Sequence, residues 1–150
     1  MGMGIVISWV VVNIFGGICA YTDFKYLLIK DKITLPAMVL GIAYNTFWGN
    51  GWEYAVLGIV LGLAVGILNI IFKGGAGDGK LMMAIGAWLG WFLLIWIIWF
   101  ASIIALVWYC CRRIVYGTSA KRVIPFGVCL YGGIVALLSI MGITALAGGL

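Results

Sequence analysis

Apolar residues in this chain fall in long unbroken runs, separated by short polar stretches, over residues 4–20, 33–48, 54–72, 81–111 and 126–146. Runs that are apolar on every side and this long read as membrane-crossing helices, since about 20 residues span a hydrocarbon core of about 30 Å. Within 54–72, Gly58, Gly62 and Gly66 recur every fourth residue. That spacing lines one helix face and predicts close approach of a neighbouring helix.

The run 81–111 poses the topological problem. Lys73 and Lys80 precede it and Arg112 and Arg113 follow it, so the positive-inside rule places both ends on the cytoplasmic side and requires an even number of crossings. Its 31 residues allow only about 23 Å per leg at roughly 1.5 Å per residue. The reading is a cramped hairpin with its turn near 86–91, a short fourth helix, and a fifth helix over 92–109. The short helix leaves a depression through which water reaches its start. The sum is an all-α bundle of six transmembrane helices with both termini outside. Trp48, Trp52, Trp88 and Trp91 all fall at the outer helix ends, where an aromatic belt belongs.

Composition sharpens this picture. With 66% hydrophobic and 9% charged residues and a mean hydropathy of +1.25, the chain is an integral membrane protein whose natural partner is the lipid bilayer. No polar stretch remains for a second domain, so residues 1–150 form one. The net charge of +5 comes from short basic clusters in the loops, among them Lys121 and Arg122; without a sustained basic face it sets topology and excludes nucleic acid. Residues 1–20 carry neither a basic leading region nor a small-residue cleavage site, and are expected to stay as the first helix. Four cysteines without a CxxC pair, and no histidine, predict packing residues, no metal site and no cofactor.

Acids are scarce enough to examine singly. Glu53 lies on the outer side, whereas Asp23, Asp31 and Asp78 share the side of the basic loops. Asp78 sits in Gly74-Gly75-Ala76-Gly77-Asp78-Gly79-Lys80, just before the fourth helix, and Asp23 ends the first. Both stand at one membrane depth, and bundle packing is expected to join them. Two such carboxyls share a proton, one taking a proton from an attacking water while the other donates to an amide oxygen. Gly75, Gly77 and Gly79 would admit a substrate backbone, and Lys25 and Lys80 would favour ionisation. A phosphate loop is the rival reading of the glycines, but Leu81 stands where a magnesium-ligating Ser or Thr is needed. A proton-coupled transporter needs mid-membrane polar groups, and only Asn13 and Asn69 qualify.

The segment from Gly74 through Asp78 and Lys80 to Gly90 resembles the GxGD motif of type IV prepilin peptidases. Asp23-Phe24-Lys25 followed by Ile29-Lys30-Asp31 is similar to that family's first catalytic segment, with Lys30 in place of the usual proline and Asp31 in place of the usual asparagine. Arg122-Val-Ile-Pro125-Phe126-Gly127 is a third, weaker similarity, and the length matches the small six-helix members of tight-adherence (Flp) pilus systems. The resemblance implies an aspartic endopeptidase of the cell membrane, with Asp23 and Asp78 as its dyad. It would cleave the basic leader of a prepilin-like protein at the cytoplasmic face, just before the substrate's apolar helix. A preflagellin (archaellin) peptidase is the alternative within the class, and a non-enzymatic transporter or assembly factor the alternative outside it. The cysteine-rich insertion of the longer members is absent, so N-methyltransferase activity is not implied. Asp31 is expected to be the one acid free to attract a basic leader, amid lysines and arginines that set topology.

Overall fold

The computed structural model describes residues 3–71, 75–116 and 125–147; Lys73, Gly74, Lys121 and Arg122 of the expected loops lie outside the described residues. Among the described residues the chain is entirely helical, in the order α1 (Met3–Tyr26), α2 (Asp31–Phe47), α3 (Trp52–Ile71), α4 (Ala76–Tyr116) and α5 (Phe126–Ala147). Five helical elements stand where six helices are expected, the fourth being two helical stretches joined across a kink. The segment read as two helices is one element of 41 residues, interrupted at Gly90 alone (φ 74°, ψ 177°). That conformation is open essentially only to glycine. A single residue makes the break, so no loop divides the element, although Gly90 does lie in the 86–91 window where a turn is expected.

Gly4–Tyr26, Trp52–Ile71, Gly77–Val115 and Phe126–Thr144 are long and apolar enough to cross a membrane. α2, with 17 residues, is about 25 Å long at roughly 1.5 Å per residue, the lower end of the length that crosses a bilayer. The outward faces are apolar: Ile14, Val39, Leu57, Ile67, Ile95 and Ile143 are all exposed. Surfaces of this kind are stable against lipid and not against water, so the protein is a multi-pass membrane protein.

The glycine stripe of α3 packs against α4. Gly58 lies so close to Gly86 that a Cβ on either would run into the other's carbonyl, a Cβ at Gly62 would lie 2.6 Å from the Met83 nitrogen, and one at Gly66 would lie 2.7 Å from Gly79 Cα. The two backbones therefore touch in antiparallel register at three levels over about two helical turns. With no hydrophobic drive between helices in lipid, such backbone contact is the main source of association.

Side chains from neighbouring helices satisfy the backbone at the Gly90 break. Asn45 Nδ2 donates to the carbonyls of Ala87 (2.8 Å) and Trp88 (3.3 Å), and the Tyr54 hydroxyl donates to that of Leu89 (2.9 Å). These carbonyls precede the break, where the helical ladder no longer guarantees a donor, and an unpaired carbonyl in an apolar interior is costly. Trp88 corrects the aromatic-belt expectation. It is 6% exposed, stacks on Tyr44 with ring centroids 5.3 Å apart, and donates its indole N–H to the Ala37 carbonyl at 2.7 Å. Trp48, Trp52 and Trp91 are exposed.

Beyond Gly90, α4 packs on α5, where a Cβ at Gly133 would lie 2.6 Å from the Ile97 carbonyl oxygen and 3.1 Å from the Ala101 nitrogen. α5 in turn packs on α1, with Tyr131 and Ile134 against Gly16. Leu81, Ile85, Leu94, Ile97, Leu130 and Ile134 are fully buried where these helices meet.

Candidate active site

α1 continues past Ala20 to Tyr26 and α4 begins at Ala76. Asp23 is therefore inside the last turns of α1 and Asp78 inside the first turn of α4, not in flanking loops. Both are buried, at 6% and 7% exposure, and both line one cavity of about 790 Å³. Residues 55 positions apart in sequence (78 minus 23) thus line one cavity because the end of α1 and the start of α4 lie at one end of the bundle.

Each carboxyl has its own donor. Asp23 Oδ2 accepts the backbone N–H of Gly127 at 2.8 Å. Gly127 is the second residue of α5, and first-turn N–H groups lack helical partners, so the end of α1 caps the start of α5. A Cβ at Gly127 would itself come within 2.8 Å of Asp23 Oδ2; only glycine allows the contact. Asp78 Oδ2 accepts a longer hydrogen bond, 3.4 Å, from Asn69 Nδ2 of α3. Sequence reasoning missed both roles. Asn69 follows Gly66 by three residues on the stripe that faces α4, and Gly127 follows Pro125 at a helix start; these were the available signals.

The expected supporting residues divide. Gly75, Gly77, Lys80 and Asp31 line the cavity with the two aspartates. A Cβ on Gly75 would lie 3.2 Å from Asp78 Oδ2, and one on Gly77 3.1 Å from Ile29 Cβ, so these glycines keep the carboxyl and the facing α1–α2 loop accessible. Gly79 does not line the cavity; it packs against Gly66. Lys25 lies outside it as well, over the rings of Tyr21 (5.9 Å) and Tyr26 (5.2 Å). Asp31 is not the free acid expected, because Lys80 Nζ binds both its oxygens at 2.8 and 2.7 Å. Leu27, with φ 51°, turns the chain out of α1 into a cavity wall formed with Leu28, Ile29 and Phe126. Its N–H still donates to the Asp23 carbonyl at 2.8 Å.

Buried carboxyls from two membrane helices, opening on one cavity, define a polytopic membrane protein equipped for acid–base chemistry. The chain belongs to the type IV leader peptidase family, whose model matches residues 10–110. It is 39% identical over 90 residues to the prepilin leader peptidase/N-methyltransferase of Escherichia coli, covering 54% of this chain and 40% of that protein. Over 148 residues it is 29% identical to the protein of the same description from Aeromonas salmonicida, with 89% and 48% covered. The counterpart from Neisseria gonorrhoeae is 36% identical over 117 residues, with 72% and 39% covered. The chain spans less than half the length of these relatives. No solved structure matches it.

Proposed function

We propose that the chain is a membrane aspartic endopeptidase that removes the leader of prepilin-like proteins, with Asp23 and Asp78 as its catalytic pair. One observation carries this: the two aspartates are buried and line one cavity in a chain of the leader peptidase family. Water held between them attacks the scissile amide carbon. One carboxylate takes the water's proton, and the other, protonated, donates to the carbonyl oxygen; the tetrahedral intermediate collapses as the amine leaves with a proton from the pair. The shorter donor contact falls on Asp23, which is assigned the base, and Asp78 the acid. The cavity's apolar wall of Leu27, Leu28, Ile29 and Phe126 suits a peptide that passes from water into lipid at the cut.

The same reading sets the protein in the inner or plasma membrane with its cavity towards the cytoplasm, α4 crossing twice about Gly90, and both termini outside. Support for the reversal comes from levels along the helices. Gly127 lies at the level of Asp23, and Gly133, about 9 Å further along α5, touches Ile97 and Ala101. A straight α4 would carry Ile97 about 28 Å beyond Asp78, whereas a chain folding back at Gly90 meets α5 where it does. Folding back also returns Arg112 and Arg113 to the end that holds Lys30, Lys32 and Lys80, as the positive-inside rule requires.

The test is cleavage of a co-expressed prepilin-like substrate. Asp23→Asn and Asp78→Asn should each lower cleavage by at least about 100-fold, the lower range for removing an acid or base, while the protein still inserts. Cleavage retained in both variants would overturn the assignment.

A further inference from the structure

Asp31 is the one exposed carboxylate on the cavity, and it is already occupied. Its ion pair with Lys80 joins the first residue of α2 to the start of α4, across the same cavity that holds Asp23 and Asp78. The paired side chains are 39% and 52% exposed, whereas Asp23 and Asp78 are buried, so on the cavity they share the ion pair is the solvent-facing part of the lining and the two aspartates the buried part. Among the described residues the other charged side chains on the cavity are Lys30 and Lys32. A peptide carrying Arg or Lys is repelled by both, and the only solvent-facing carboxylate on the cavity that offers it a partner is held by Lys80.

We propose that the Asp31–Lys80 pair is a displaceable strap on the cavity of the catalytic aspartates, released when a guanidinium or ammonium group of a basic peptide takes the place of Lys80 on Asp31. The inference rests on the peptidase reading for what enters. An exposed ion pair is weak enough to exchange, and a guanidinium, whose planar fork matches a carboxylate, is the better competitor. On exchange α2 and α4 are untied, and Lys80, no longer held across the cavity, turns out to solvent. Asp31 and Lys80 are thus specificity-determining residues: Asp31 offers a basic leader a partner that a neutral one cannot use, and Lys80 competes for it.

The experiment uses the full chain in phosphatidylcholine vesicles, with a basic leader peptide and the same peptide with each Arg and Lys changed to Gln. The readout is the neutral-to-basic ratio of KM, and of Kd by fluorescence anisotropy. Lys80→Met frees Asp31 and should raise the ratio about 1.5- to fivefold, the range of an exposed pair. Lys80→Arg, which ties Asp31 more firmly, should lower it. Asp31→Asn should bring it close to one, and Lys80→Met should have no further effect in that background. The strap is overturned if Lys80→Met leaves the ratio unchanged or lowers it, or still raises it without Asp31. Discrimination in Kd with no cleavage of either peptide by the wild type sinks the peptidase reading and upholds the strap; cleavage without discrimination does the reverse.

Discussion

Gly127 gives Asp23 its amide and, lacking a side chain, leaves room for the carboxyl that receives it. Adding one methyl should undo both at once. Gly127→Ala places a Cβ within 2.8 Å of Asp23 Oδ2 and displaces the carboxyl from its 2.8 Å hydrogen bond. A hydrogen bond to a charged group contributes about 1.5–3 kcal/mol, so kcat should fall roughly 10- to 100-fold with KM little changed, measured by peptide cleavage. Asn69→Leu removes the longer contact to Asp78 (3.4 Å) and should cost less, under about tenfold. A larger loss for Asn69→Leu than for Gly127→Ala would reverse the ranking of the two donors. Residue types and spacing exposed Asp23 and Asp78 as candidates. They did not expose Asn69 or Gly127, whose roles depend on which helix ends lie beside which carboxyl.

Elements here are shaped by where the backbone can come close and where it must stop, and glycines decide both. Gly90→Ala would force a Cβ into a positive-φ conformation, at about 1–3 kcal/mol, and into the ring of Tyr54. Asn45→Leu leaves the carbonyls of Ala87 and Trp88 without their side-chain donor, at roughly 1–3 kcal/mol for a buried group left unpaired. Both should lower the thermal unfolding midpoint in detergent, Gly90→Ala the more. Gly62→Leu, which drives a side chain into the backbone at Met83, should prevent α3 and α4 from packing at all. The α3 stripe was legible because glycine at every fourth position has few other uses in lipid. Its partner surface on α4 was not, since Gly79 reads equally well as part of a catalytic loop until Gly66 is seen against it.

At the scale of the molecule, charge and topology give one clear expectation. In a background with Cys19, Cys110, Cys111 and Cys129 replaced, single cysteines at positions 32, 53 and 113 should divide under a membrane-impermeant maleimide. Positions 32 and 113 should label from one side and 53 from the other. Labelling of 113 together with 53 would mean that α4 does not fold back at Gly90. The cysteines themselves divide in the structure: Cys19 and Cys129 are buried and Cys110 and Cys111 exposed, so all four do not serve as core packing.

The sequence by itself determined the class: long runs without charge leave only a helical membrane protein, because no other arrangement of such runs satisfies the backbone in lipid. It also singled out two aspartates at one depth, because acids in such a chain are few. Tertiary structure alone decided that both open on one cavity, that Asp23 caps α5 while Asp78 takes its donor from Asn69, that Asp31 is tied to Lys80, and that Trp88 is buried beside a break made by one glycine. The reason is physical: periodicity and charge report each helix's relation to lipid and water, whereas contacts between helices depend on rotation and register, and in a chain so apolar little beyond the α3 glycine stripe records the first and nothing records the second.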